Sequence, residues 1–166
     1  MSRVFLGLFA GSCVERCAPD YELALTRSFE EQMRRSAVEA TARCFVAPFH
    51  VEAEKRAWAE YSPKPGETYW ETSCVQGVKE QLRESTREAW PWLEARAAED
   101  CPGVIVGISN GCIPAAEAAL AFDVPVLVLL SGMPAEEQLE ELCRHFHGET
   151  IMAVGRRDRC FGGRRA

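Results

Sequence analysis

The chain has 166 residues, with 19 Lys and Arg against 25 Asp and Glu, a formal net charge of −6. That length predicts one domain over residues 1–166. An acidic balance without a basic block excludes a general nucleic-acid binder. No apolar run approaches the roughly 18–20 residues that cross a bilayer as a helix, and a hydrophobic fraction of 47% with 27% charged is globular composition rather than disorder.

Eight cysteines stand at 13, 17, 44, 74, 101, 112, 143 and 160. Disulfide frameworks belong to small secreted chains with poor cores. Here the core is adequate, and Cys44 and Cys101 fall in apolar, strand-like surroundings, where free thiols behave as small hydrophobes. Cys13 and Cys17 have no matching second pair, so neither a metal nor a cofactor is expected. The N-terminus enters a strand-like run without a signal-peptide pattern. The expected location is a reducing intracellular compartment, either the cytoplasm or, after removal of a transit peptide, the mitochondrial matrix.

Five short apolar runs predict strands: Val4–Phe9, Cys44–Pro48, Gly103–Ile108, Val124–Leu130 and Thr150–Val154. Runs without alternation fit strands buried on both faces of a parallel sheet. Helical spacing lies between them. Tyr21, Leu25, Phe29, Met33 and Ala37 recur every four residues after the start signal Pro19-Asp20. Val75, Val78, Leu82 and Leu93 predict a long second helix kinked at Pro91. Ile113–Phe122 is an Ala-rich third helix, and Ala135–Phe146 a fourth. Strand alternating with helix predicts an α/β fold, a three-layer sandwich around a mostly parallel five-stranded sheet with right-handed crossovers. Residues 51–72 break the rhythm. They carry Trp58, Tyr61, Tyr69, Trp70, Pro63, Pro65 and Gly66, which reads as an insertion loop, either a cap over a site or an excursion whose aromatics pack on the sheet.

The strongest chemical signal is Gly107-Ile108-Ser109-Asn110-Gly111, the G-x-S-x-G pattern between an apolar strand and a helix that tolerates Pro114 in its first turn. A sharp bend there lifts the serine oxygen above the sheet edge at a strained backbone angle, and flanking Gly107 and Gly111 leave room where strand and helix approach. The helix amides behind Ser109 offer partial positive charge to a developing oxyanion. The plainer alternative is a tight turn with a capping Ser or Asn. A nucleophilic serine needs a base and an orienting acid, in the order Ser, acid, His on this kind of sheet. Asp158 follows the last predicted strand and suits the acid, although it also reads as a solvated turn residue among arginines. No His follows Asp158. His145 and His147 enter the last strand from the edge opposite Ser109, and His50 lies on the correct edge but out of order.

Together these residues resemble the FSH-type serine hydrolases of the α/β-hydrolase superfamily. The resemblance runs over most of the chain: Arg3–Phe9 with Ala10-Gly11-Ser12 as first strand and oxyanion loop, Phe45–His50 as a strand ending in Ala-Pro, Tyr69-Trp70 as an aromatic pair, Gly107–Gly111 as the elbow, Leu130–Pro134 as a Ser-Gly turn, and Val154–Asp158 as the acid loop. It implies a truncated α/β-hydrolase fold acting on carboxylic esters or thioesters. It further implies Ser109 as nucleophile, Asp158 as acid, the Asn110 amide as one oxyanion donor, and an amide around Gly11 and Ser12 as the other. Two features depart from the family: the first loop lacks a polar residue before its glycine, and the closing strand, helix and His are absent from these residues.

Three functions are then open. The first is a hydrolase-like protein with an incomplete triad, non-catalytic or weakly active, held by protein partners at an exposed sheet edge. The second is an active esterase or thioesterase that uses Ser109 with an atypical or partner-supplied base. The third is a nucleoside deoxyribosyltransferase-like enzyme with Glu117 as nucleophile. A basic C-terminal tail, Arg156, Arg157, Arg159, Arg164 and Arg165, is locally set against the acidic chain.

Overall fold

A computed structural model describes residues 3–11, 18–47, 49–52, 55–58, 86, 88–99, 101–134 and 136–155. Its elements, in chain order, are β1 (Arg3–Phe9), α1 (Ala18–Arg35), β2 (Glu39–Phe45), β3 (Phe49–Glu52), β4 (Lys55–Ala57), α2 (Trp90–Ala98), β5 (Gly103–Ile108), α3 (Cys112–Phe122), β6 (Val126–Leu130), α4 (Glu136–His145) and β7 (Glu149–Ala153). Five strands form one sheet in the order β2-β1-β5-β6-β7, and every neighbouring pair is parallel. The fold is α/β, with an all-parallel sheet where a mostly parallel one was expected.

The strand order follows from the crossovers. From β1 the chain steps through α1 to β2 on one side, then returns past β1 to β5, β6 and β7 on the other. Right-handed connections therefore put α1 on one face and α2, α3 and α4 on the opposite face. The direction reverses between β1 and β5, and in open parallel sheets that reversal opens a crevice at the carboxyl ends of the strands.

The main core lies under α2, α3 and α4. Phe5, Phe9, Phe45, Ile105, Leu127 and Leu129 point to that face and pack against Leu93 of α2 and Ile113, Ala115, Ala116 and Ala119 of α3. Two cross-strand pairs set an aromatic ring against a glycine: Phe5 faces Gly103 and Phe9 faces Gly107. The Phe5 ring occupies the space a Gly103 side chain would need, with a β-carbon there falling 2.1 Å from the ring. Trp92 extends the cluster edge-on to Phe5 and Phe45.

Several sequence expectations need correction. The second strand is Glu39–Phe45, not Cys44–Pro48. Its residues are exposed or half-buried until Phe45, because it is an edge strand whose alternation carries no apolar run. The first helix ends at Arg35, and Ala37, expected on its apolar stripe, sits at φ 58° in the following turn. Pro91 opens α2 rather than kinking a longer helix, since a proline in the first turn sacrifices no intrahelical bond. Residues 75–85 of that expected helix lie outside the described residues. The insertion begins with an antiparallel hairpin, β3 and β4, and not with loop; Tyr61, Tyr69 and Trp70 lie outside the described residues. Burial on both faces holds for β1 but fails for β7, where all five residues are exposed. Among the described residues no helix is long and apolar enough to cross a membrane.

Candidate functional site

β5 delivers the chain to the sheet's carboxyl edge at Ile108, which is still extended at φ −121° and ψ 127°. The next residue, Ser109, turns to φ 55°. Residues Ser109–Gly111 then make one 3-10 turn, and α3 starts at Cys112. Positive φ on an L-residue other than glycine costs about 1–2 kcal/mol and persists only where the surroundings hold it. No side chain caps α3, whose N-cap is Gly111, so this turn is not a conventional Ser or Asn cap. Pro114 is the third residue of α3, where its missing N–H has no intrahelical partner to lose.

Ser109 is closely seated on two sides. A β-carbon on Gly11, at the carboxyl end of β1, would stand 2.8 Å from the Ser109 β-carbon and from the Ile108 oxygen. One on Gly132, after β6, would stand 2.0 Å from the Ser109 oxygen. Gly111 is pressed against the Phe9 oxygen, and Gly107 against the Cys112 α-carbon, at 2.3 and 2.6 Å for their own missing β-carbons. At Gly107 and Gly111 strand, turn and helix thus approach too closely for a side chain. Ser109 is half-buried and Asn110 fully buried. The site lies at the β1–β5 reversal, where β1, β5 and β6 bring Gly11, Ser109 and Gly132 together.

Two further features lie beside the serine turn. Ser131, the residue after β6, is a second serine at positive φ, 49°, and its amide donates to the Ala153 oxygen of β7 at 2.8 Å. Trp58, just after β4, is buried, and its indole N–H donates to the Ala10 oxygen at 2.6 Å. The same ring packs edge-on against Phe9 at 5.4 Å. The hairpin is thus pinned at the end of β1, on the Ser109 edge of the sheet. Of the two readings the sequence leaves for this aromatic segment, a cap or an excursion packed on the sheet, Trp58 follows the second.

Cys112 opens α3 directly behind the serine turn. Its thiol donates to the Gly107 oxygen at 3.4 Å, and burial pushes its pKa up to about 12. It is a packed, protonated thiol, not a nucleophile. The thiol of Cys101, at the amino edge of the sheet, is also shifted up, first by burial and then by the Glu99 carboxylate.

The other expected site residues divide. Ser12 and Asp158 lie outside the described residues. His145 ends α4 and His147 precedes β7, both exposed on the amino edge. A five-residue strand, about 16 Å, separates that edge from the level of Ser109. The backbone of His50 belongs to β3, in the hairpin pinned at the carboxyl edge. Glu117 lies on α3, where its carboxylate accepts from the buried Gln138 Nε2 at 3.2 Å. The same Gln138 nitrogen donates to the Ile113 oxygen at 3.1 Å, so this group ties α4 to α3. Two cavities, of about 180 and 230 Å³, sit at the amino edge around Cys101, away from Ser109. Both are smaller than the roughly 300 Å³ at which ligand pockets begin. Among the described residues no three His, Cys, Asp or Glu side chains gather as a metal cluster.

Neither protein-family models nor curated proteins match this chain. The site's chemistry therefore rests on its own geometry.

Proposed function

We propose that the chain is an α/β-hydrolase-like scaffold of the FSH serine hydrolase type, with a Ser-Asp-His triad that is incomplete within these 166 residues. It presents Ser109 at a crevice for a small carboxylic ester or thioester. It serves as a non-catalytic or weakly active component of a larger protein assembly. The observation that carries the reading is the φ of 55° at Ser109, at the end of the middle strand and at the sheet's point of reversal. A strained serine in a strand-to-helix bend is what a nucleophile elbow requires, and ligand sites of open parallel sheets form at that reversal.

In this reading Ser109 occupies the nucleophile position and Asp158 the acid position. The Asn110 amide and an amide of Gly11 or Ser12 are the oxyanion donors. Serine attack requires a group to take the hydroxyl proton, and without it most of the rate is lost. His145 and His147 lie a strand length away on the wrong edge.

A second reading, an active carboxylesterase or thioesterase, is favoured by one observation. Of the three histidines, His50 alone has its backbone on the Ser109 edge, in the hairpin anchored through Trp58. A general base there, or one supplied by a partner chain, would complete proton transfer from Ser109 to the leaving group.

Fluorophosphonate labelling at neutral pH separates the two. The first reading expects phosphonylation of Ser109 no faster than the background of Ser109→Ala. It also expects a thermal shift with short-chain acyl esters that Ser109→Trp, by filling the crevice, removes. Rapid stoichiometric labelling of Ser109, lost in His50→Ala, overturns it in favour of the second. No labelling and no thermal shift overturn both.

A further inference from the structure

We propose that β7 is the contact strand of a two-fold homodimer, pairing antiparallel with the β7 of a second copy so that two five-stranded sheets become one of ten. This goes beyond the serine site and does not depend on it.

The two edges of the sheet are treated differently. β2 is guarded. Its Ala42 amide points away from β1, and the Glu30 carboxylate of α1 accepts from it at 3.1 Å. Exposed Glu39 and Arg43 add charge along the same strand, a common way to block edge pairing. Among the described residues β7 has no such guard. Glu149 donates to the Pro125 oxygen, and the Ala153 oxygen accepts from Ser131, so odd-numbered residues bond toward β6. By the alternation of a strand, Thr150, Met152 and Val154 turn their amides and carbonyls to the open edge. The segment Thr150–Val154 contains no charge and no proline. All of it is exposed, with Ile151 and Met152 each 45% accessible.

The occupant follows from self-complementarity. With Met152 opposite the partner's Met152, Thr150 meets the partner's Val154, and all three open residues of each strand are hydrogen-bonded. A shift of two residues in either direction leaves one of them unused. In the centred register Ile151 faces the partner's Ala153, and Glu149 faces the partner's Gly155 rather than another carboxylate. At the centre of each face apolar residues thus meet apolar residues, and like charges are not opposed. Because the β2 edge is guarded, the described part of the five-stranded sheet offers one open edge. An isologous contact of that kind closes at two copies instead of growing into a filament.

The test is the mass in solution of the full chain by light scattering, over a dilution series. Wild type is expected at about 37 kDa, twice the 18.5 kDa of one chain. Met152→Lys sets two ammonium groups opposite each other at the two-fold axis and should weaken association tenfold or more. Thr41→Lys, on the exposed part of the guarded edge, should leave the mass unchanged. Should Met152→Lys lose its native circular dichroism, Thr150→Lys replaces it. In the wild type, the Thr150 and Met152 amides should also exchange hydrogen more slowly as concentration rises. A monomer at all concentrations overturns the proposal and points to a strand from a different protein. A dimer indifferent to Met152→Lys and Thr150→Lys, with unprotected Thr150 and Met152 amides, overturns it in favour of another surface.

Discussion

The indole N–H of Trp58 donates to the backbone oxygen of Ala10 at 2.6 Å, across 48 residues of sequence. It joins a hairpin to the end of β1, on the same sheet edge as the serine turn. Trp58→Phe keeps a ring against Phe9 but leaves the Ala10 carbonyl without this donor. Losing a buried partner costs about 1–3 kcal/mol. Urea unfolding should show a midpoint lowered to match. An unchanged midpoint would mean that water replaces the indole freely.

Gly132→Ala should be more damaging than Gly7→Ala. At Gly132 the new methyl meets the Ser109 backbone oxygen at 2.0 Å, and backbone cannot swing aside. At Gly7 the nearest atom is the Ile105 Cδ1 at 2.8 Å, the free end of a side chain. Overpacking costs about 1–3 kcal/mol, the more so where nothing can yield. Thermal unfolding of the two variants should rank them in that order, and equal midpoints would contradict the tight seat drawn here for the serine turn.

Cys112 links stability to alkaline pH. Its folded pKa is raised by burial from 9 to about 12, so between those values the unfolded thiol releases its proton and the folded one does not. The contribution is whole below pH 9 and is lost as pH rises toward 12, by up to about 1.4 kcal/mol per pH unit. Urea midpoints should therefore fall more steeply above pH 9 in wild type than in Cys112→Ala. At mildly alkaline pH iodoacetamide should modify exposed Cys143 and spare Cys112. Parallel slopes, or early alkylation of Cys112, would refute the burial argument.

Ala37→Gly should stabilise the protein. The turn after α1 closes with the Val38 amide on the Met33 oxygen and the Ala37 amide on the Arg34 oxygen, and it holds Ala37 at φ 58°. Glycine normally occupies this position because it has no β-carbon to strain. Relieving about 1–2 kcal/mol of strain, less the added freedom of the unfolded chain, leaves a gain of about 0.5–1 kcal/mol. Ala37 is exposed, so no packing is lost. A lower melting temperature would show that the turn is not strained.

The serine bend was legible because every part of it is local. A strand, a G-x-S-x-G turn and an Ala-rich helix follow one another in sequence, and the glycines are dictated by the closeness of that one crossing. The seat around it was not legible. Gly11, Ser109 and Gly132 stand in three separate segments, and nothing local shows that Gly132 will press on the Ser109 oxygen. The bounds of β2 are hidden in the sequence for a related reason. An edge strand with a polar row leaves no apolar run, and Cys44–Pro48 overlapped only its buried end. Pro91 reads as a kink in the sequence, which shows a helix breaker without showing where the helix begins.

The sequence alone determined the class of the molecule: short apolar runs separated by helical spacing commit the chain to parallel strands with crossover helices, since those patterns depend only on which faces each segment must bury. Tertiary structure alone decided the order of the strands, the anchoring of Trp58 at the crevice and the contrast between a guarded edge at β2 and an open one at β7. Those depend on which elements come to lie side by side, and an amide left facing outward is invisible until its neighbours have been assigned.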